Sequence, residues 1–477
     1  MREDIMTGLG EECGVFGAYD FDGENVASYI YYGLFALQHR GQESAGISVT
    51  NTSENCKNVM FHKDQGLVDE VFTKKTLNSL KGNLGVGHVR YSTAGGGGIE
   101  CAQPFVIHYI KGILSMAHNG NLTNGVELKQ ELATTGAIFQ TTTDSEVIAY
   151  LIARERLHTL CIEDAVKSAT QKLEGAFSLV VSSPAKLIGA RDRFGFRPLC
   201  IGRKDNTYFL SSETAALDTI GAEFIRDVEP GEIVTITDGV IKSEKFADSK
   251  KTARCVFEYI YFARTDSYID GQSVYSSRVT AGKLLADKFP VDADLVVGVP
   301  ESGLAAAVGY SQGSKIPYGM AFYKNSYVGR TFIKPSQNER TSGVQVKLNV
   351  IREVVKGKRI VMVDDSIVRG TTIRNIVKML KDAGALEVHV RVSSPPFRHP
   401  CYYGTDVPSR ENLVAVNHTV EEIRESIGAD SLGYLEIDDL DKLCPGLEFC
   451  DACFTGNFVG GVASEEEGNG CCLTKLV

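Results

Sequence analysis

The chain contains no tryptophan, only seven methionines, and no low-complexity stretch or short repeat. With hydrophobic residues at 43% and charged residues at 23%, this composition excludes collagen-like, disordered and repeat architectures and leaves an ordinary globular protein. No uninterrupted apolar run approaches the length that spans a bilayer. The opening stretch MREDIMTGLGEE has no apolar core and carries acids, unlike a secretory or transit peptide. The reading is a cytoplasmic protein with no membrane partner. Positive charge is also in deficit, 50 Lys and Arg against 60 Asp and Glu for a net charge of −10, which argues against a nucleic-acid partner. In the reducing compartment this implies, metal binding or catalysis accounts for non-core thiols among the twelve cysteines better than disulfides do.

At 477 residues a length prior suggests about three domains. The motifs fit a short leader (1–12), an amino-terminal domain (13–250), a carboxyl-terminal domain (260–445) and a tail (446–477).

In the carboxyl-terminal half, KRIVMVDDSIVRGTT (358–372) begins as an apolar, β-branched run and ends in acids, a hydroxyl, glycine and two threonines. The next residues place Ile373, Ile376, Val377 and Leu380 on one helical face, with Gly384 as the stop. Strand, loop and helix in this order are the unit of a parallel sheet, whose ligands bind at the carboxyl ends of its strands. Gly370, Thr371 and Thr372 offer N–H groups, hydroxyls and the positive end of the helix dipole to a phosphate. Asp364 and Asp365 suit vicinal hydroxyls or a Mg²⁺ ion. Helix capping would account for one of these acids but not comfortably for both. DLVVGVPESGLAAAVGY (294–310) repeats the unit and brings Ser302 to the same edge. The basic segment 323–348 reads either as a solvated loop or as a contact for a small anion.

VMVDDSIVRGTT resembles the phosphoribosyl-pyrophosphate (PRPP) loop of the type I phosphoribosyltransferases. The resemblance implies an α/β domain with a parallel sheet. Asp364 and Asp365 then meet the ribose hydroxyls and, with Ser302, hold Mg²⁺, while residues 366 to 372, including Ser366 and Arg369, surround the 5-phosphate. It makes 323–348 a lid that brings Arg330, Lys334 and Lys347 toward pyrophosphate.

In the amino-terminal half, GVGHVRYSTAG (85–95) and SMAHNGNLTN (115–124) read as short strands running into polar loops, and TTTDSEVIAYLIAR (141–154) as a capped helix. Arg90, Asn119, Gly120 and Asp144 fall near element ends. Taken singly, they suit a surface ion pair, an Asn-Gly turn and a helix N-cap. With GEECGVFG (10–17) and ALQHRGQESAG (36–46), however, they resemble the class II glutamine amidotransferase domain of the N-terminal-nucleophile hydrolases, an α+β, four-layer α-β-β-α sandwich. The resemblance implies that Cys13 is the nucleophile, that Arg90 grips the glutamine carboxylate and Asp144 its ammonium, and that Asn119 and Gly120 form the oxyanion hole. An α-amine on Cys13, created by removal of residues 1–12, would supply the base that a peptide nitrogen cannot.

Together the two domains are similar to the family of PRPP-dependent glutamine amidotransferases. That family takes ammonia from glutamine to PRPP through a sealed channel, yielding 5-phosphoribosylamine, glutamate and pyrophosphate as the first committed step of purine synthesis. Purine nucleotide inhibitors and a homotetramer are implied by resemblance only. Other class II amidotransferases or a PRPP-sensing regulator are alternatives. They would need a sugar-isomerase, adenylating or DNA-binding segment that the sequence does not display.

Cys450 and Cys453 form a C-x-x-C compatible with zinc, an iron–sulfur cluster or redox chemistry. One class of the family holds a [4Fe-4S] cluster, and Cys255 and Cys401 match its other ligand contexts. Cys444, Cys471 and Cys472 are rivals, whereas Cys56, Cys101, Cys161 and Cys200 read as ordinary thiols.

Overall fold

The computed structural model describes residues 12–53, 58–91, 98–248, 251–325, 348–405, 407 and 409–462. Arg330, Lys334 and Lys347, and with them Cys56, Cys471 and Cys472, lie outside the described residues.

The amino-terminal half contains two antiparallel sheets laid face to face. In the first, Gly14–Asp20 pairs with Thr207–Ser211 on one side and Leu84–Arg90 on the other, and Ser44–Thr50 adds beyond Leu84–Arg90. In the second, Gly112–Leu122 pairs with Gly175–Ser183, which in turn pairs with Lys186–Arg191. Val15, Val86 and Leu210 from one sheet meet Val180, Leu187 and Val234 from the other in a dry layer. Helix Ala27–Ala36 covers the first sheet through Ile30 and Leu34. Helix Asp144–Glu155 covers the second through Val147, Ile148, Leu151 and Ile152, the face its spacing foretells. The result is the expected four-layer α-β-β-α sandwich.

The carboxyl-terminal half is built on a parallel sheet in the order Leu295–Gly298, Arg359–Asp364, Glu387–Val392, Ser431–Tyr434. Helices Val274–Lys288 and Gly303–Ser314 pack on one face, and Thr371–Asp382 with Val420–Ile427 on the other. Coverage on both sides is why its strands read as continuous apolar runs. Ile373, Ile376, Val377 and Leu380 are the buried residues of Thr371–Asp382.

The tail turns back onto the junction between the halves. Phe449–Cys450 pairs in parallel with Arg254–Cys255, with Cys255 opposite Cys450. The loop 401–405 lies against the second sheet of the amino-terminal half, where the Asn121 side-chain amide donates to the Tyr402 carbonyl at 2.9 Å.

Candidate active sites

Cys13 immediately precedes the central strand of the first sheet, and pairing of Gly14 with Val89 sets it beside Arg90. Its thiol donates weakly to the Tyr91 carbonyl at 3.7 Å. Burial pushes the thiol pKa up, Arg90 pulls it down, and Glu12 and Asp144 push it up again. A buried thiol in this setting needs a base to become a thiolate. Arg90 ends its strand and is buried, with Glu43 3.5 Å away. A planar guanidinium so placed can receive a carboxylate in two parallel hydrogen bonds.

Asp144 is the first residue of its helix rather than the cap, because the Thr143 hydroxyl accepts from the Glu146 N–H and takes that role. Asp144 Oδ2 accepts instead from the Leu122 N–H at 2.9 Å. This ties the carboxylate to the strand that bears Asn119 and Gly120.

Asn119 and Gly120 do not form the turn their dipeptide suggests. Strand Gly112–Leu122 continues through both, pairing Asn119 with Ser178 and Gly120 with Phe177. Pairing with Gly175–Ser183 overrides the local turn preference, and glycine is needed for it. Gly120 has φ +140°, and a Cβ there would lie 2.1 Å from the Ala176 carbonyl oxygen. The buried Asn119 Nδ2 has no hydrogen-bond partner among the described residues, the state expected of a donor kept for a ligand oxygen.

Residues missed from sequence hold this strand in place. Burial lowers the His88 pKa to about 3, so the ring is neutral near pH 7, and its Nε2 lies 3.0 Å from the His118 carbonyl across the sandwich. Gln103 Oε1 accepts from the His118 N–H at 2.7 Å. Arg40, within the quoted ALQHRGQESAG, is fully buried, and its Nε donates to the Cys13 carbonyl at 3.0 Å.

Glu12 is buried next to the nucleophile. It accepts from Thr405 Oγ1 at 2.9 Å, lies 3.2 Å from Arg40 and pairs with Arg197. Burial and Glu258 raise its carboxyl pKa against the pull of Arg197 and Arg40.

In the second half, Asp364 ends its strand and Asp365 follows, both largely buried. Ser302 Oγ donates to Asp365 Oδ1 at 2.5 Å and Ser366 Oγ to Asp365 Oδ2 at 2.5 Å. Burial, and then the charge of Asp365, pushes the Asp364 carboxyl well up. Two buried acids so close favour a cation that offsets their charge, so Asp364, Asp365 and Ser302 fit a hard, oxygen-seeking ion such as Mg²⁺. Gly370, at φ +80°, turns the chain into the helix that begins at Thr371 and Thr372. The loop 366–372, with Ser366 and Arg369, thus joins the acid pair to a helix N-terminus, as the sequence predicts.

Cys255, Cys401, Cys450 and Cys453 line one cavity, walled by Phe196, Phe257, Phe397 and Tyr403. Burial raises the pKa of Cys450 to about 12 and those of Cys255 and Cys453 well up, and neighbouring cysteines add to each shift. Clustered, desolvated thiols suit a soft, positively charged metal group. No three His, Cys, Asp or Glu side chains among the described residues have the geometry of a single-ion site. An iron–sulfur cube takes one thiolate per iron, so four cysteines lining one cavity fit it. Cys444 lies elsewhere, in the apolar core with its Sγ 2.9 Å from Ser277 Oγ.

Two family models match, "Glutamine amidotransferase domain" over residues 92–219 and "Phosphoribosyl transferase domain" over 276–406. The amidophosphoribosyltransferase of Methanocaldococcus jannaschii is 50% identical over 461 residues, covering 94% of this chain and 97% of that protein. The Bacillus subtilis amidophosphoribosyltransferase is 49% identical over 463 residues, covering 95% of each chain. This chain belongs to the amidophosphoribosyltransferase family. It is an enzyme of the transferase class. The solved glutamine PRPP amidotransferase from B. subtilis, complexed with ADP and GMP, superposes with a TM-score of 0.88 at 47% identity, covering 95% of this chain and 98% of that one. A solved structure described as the allosteric regulatory enzyme of purine biosynthesis gives 0.89 at 47% identity, covering 95% and 97%.

Proposed function

We propose that this enzyme hydrolyses glutamine at Cys13 and transfers the ammonia to PRPP, giving 5-phosphoribosylamine, glutamate and pyrophosphate at the entry to purine synthesis. The observation behind this reading is that one chain holds both half-sites. Cys13, Arg90, Asn119, Gly120 and Asp144 gather at the facing sheets, and Ser302, Asp364 and Asp365 stand before the helix start at 370–372.

Arg90 and Asp144 fix the two charged ends of glutamine, so its carboxamide lies against Cys13. Removal of residues 1–12 frees the Cys13 α-amine, which takes the thiol proton and later returns it to the leaving ammonia. The Asn119 amide and the Gly120 N–H stabilise the tetrahedral oxyanion. Water then releases glutamate from the thioester. Ammonia must travel unprotonated to ribose C1, which requires a path closed to bulk water.

Asp364, Asp365 and Ser302 would hold Mg²⁺, which would supply positive charge for the pyrophosphate leaving group. Cys255, Cys401, Cys450 and Cys453 would hold a [4Fe-4S] cluster. Its role is structural, because neither half-reaction moves electrons. A cytoplasmic homotetramer inhibited by purine nucleotides completes the reading. The relative solved with ADP and GMP supports nucleotide binding. No helix among the described residues is long and apolar enough to cross a membrane.

Cys13→Ala tests the assignment. Glutamine-dependent phosphoribosylamine formation should be abolished, while the ammonia-dependent reaction keeps its rate. Normal glutamine-dependent turnover in this variant would remove Cys13 from the mechanism.

A further inference from the structure

Arg40 is the hub of a buried ionic network that joins the two halves of the chain. Its Nε donates to the Cys13 carbonyl at 3.0 Å. Its Nη1 and Nη2 donate to both oxygens of Glu258, at 2.9 and 2.6 Å, and Nη1 also reaches Glu213 at 2.7 Å. Every side chain in this set is at most 2% exposed. Glu258 opens the helical turn Glu258–Phe262, which packs against helix Val274–Lys288 of the carboxyl-terminal half. Glu213 holds the same region a second time, accepting from the Arg264 N–H at 2.9 Å and from Ser267 Oγ at 2.6 Å.

Charge decides how the network is used. With Glu12 in place, the carboxyls of Glu12, Glu213 and Glu258 face the guanidiniums of Arg40 and Arg197. Glu12 is the odd group, as the upward shift of its pKa reflects. Without residues 1–12 the two guanidiniums face two carboxylates, and Arg40 is left with Glu258 and Glu213. The bidentate contact is the one that fixes the plane of the guanidinium. That plane aims Nε at Cys13.

We propose that Glu258, which belongs to the phosphoribosyltransferase side of the chain, is a positioning residue for glutamine hydrolysis: through Arg40 it fixes the main chain of Cys13. It touches neither substrate. Its effect is to set the approach of the thiol to the carboxamide, and a misplacement of about 1 Å at a reacting group can cost on the order of 100-fold in rate. The inference rests on Cys13 as nucleophile, which Cys13→Ala tests separately.

Glu258→Gln keeps size and hydrogen-bonding capacity but removes the charge that orients Arg40. Glutamine-dependent kcat should fall roughly 10- to 100-fold. The KM for glutamine should stay within about threefold, because Arg90 and Asp144 are untouched, and ammonia-dependent turnover within about twofold. Glu258→Asp, which can still reach one Nη, should recover part of the glutamine-dependent kcat. Equal losses in both reactions, or glutamine-dependent kcat unchanged in Glu258→Gln, would overturn the proposal. If Glu258→Gln does not fold, the kcat split in Glu258→Asp decides in the same two ways.

Discussion

At the scale of single residues, Glu12 shows how one side chain can make the uncleaved chain pH-sensitive. Its folded-state pKa is raised, so the folded chain binds the proton more tightly than the unfolded chain. Unfolding therefore releases a proton once pH exceeds the ordinary carboxylate value, and stability falls as pH rises, by up to about 1.4 kcal/mol per pH unit. The melting temperature of protein whose intact mass shows residues 1–12 in place should drop between about pH 5 and about pH 8. Glu12→Gln should make that drop shallower. If variant and parent decline in parallel, other groups cause the slope.

At the scale of elements, helix Thr371–Asp382 joins packing to chemistry. Its Ile373, Ile376, Val377 and Leu380 stripe is buried against the parallel sheet. Its first turn, entered through Gly370, presents the N–H groups proposed to receive the phosphate. Loosening the stripe should therefore weaken both the domain and the loop 366–372. Leu380→Ala should destabilise the protein by about 2–5 kcal/mol in chemical denaturation. Lys378→Ala, on the same helix but exposed and paired, among the described residues, with Asp382, should change stability by less than about 0.5 kcal/mol. Similar effects from the two would mean that the helix is not held by its apolar face.

At the scale of the whole molecule, the junction is built where segments remote in sequence meet. Cys255 follows the first domain, Cys401 sits in the loop that touches the strand bearing Asn119 and Gly120, and Cys450 and Cys453 come from the tail. Arg197 lines the cavity and donates to the Tyr403 carbonyl at 2.5 Å, and its Nη1 pairs with Glu12. An inorganic cluster here would fasten both halves and the tail at one point. Protein purified without oxygen should carry about four irons per chain with visible charge-transfer absorption. Cys450→Ser should lower both and reduce the melting temperature. Iron content unaffected by this substitution would dissociate the cavity from any cluster.

Local pattern determined much of this protein. The apolar stripes of Asp144–Glu155 and Thr371–Asp382, the strand ending at Asp364, and the glycine entry at Gly370 are all readable because periodicity and turn chemistry act over a few residues. The family motifs singled out Cys13, Arg90 and Asp144 as well. Only the tertiary structure showed that Asn119 and Gly120 lie inside a strand, since partner strand Gly175–Ser183 outweighs a two-residue turn preference. Only it showed Thr143 taking the cap from Asp144, His88 and Gln103 bracing His118, and Arg40 bound to Glu258. Those contacts join residues up to 218 positions apart. They exist because docked sheets and domains exclude water from polar groups that must then find one another, a requirement set by register and packing, not by local sequence spacing.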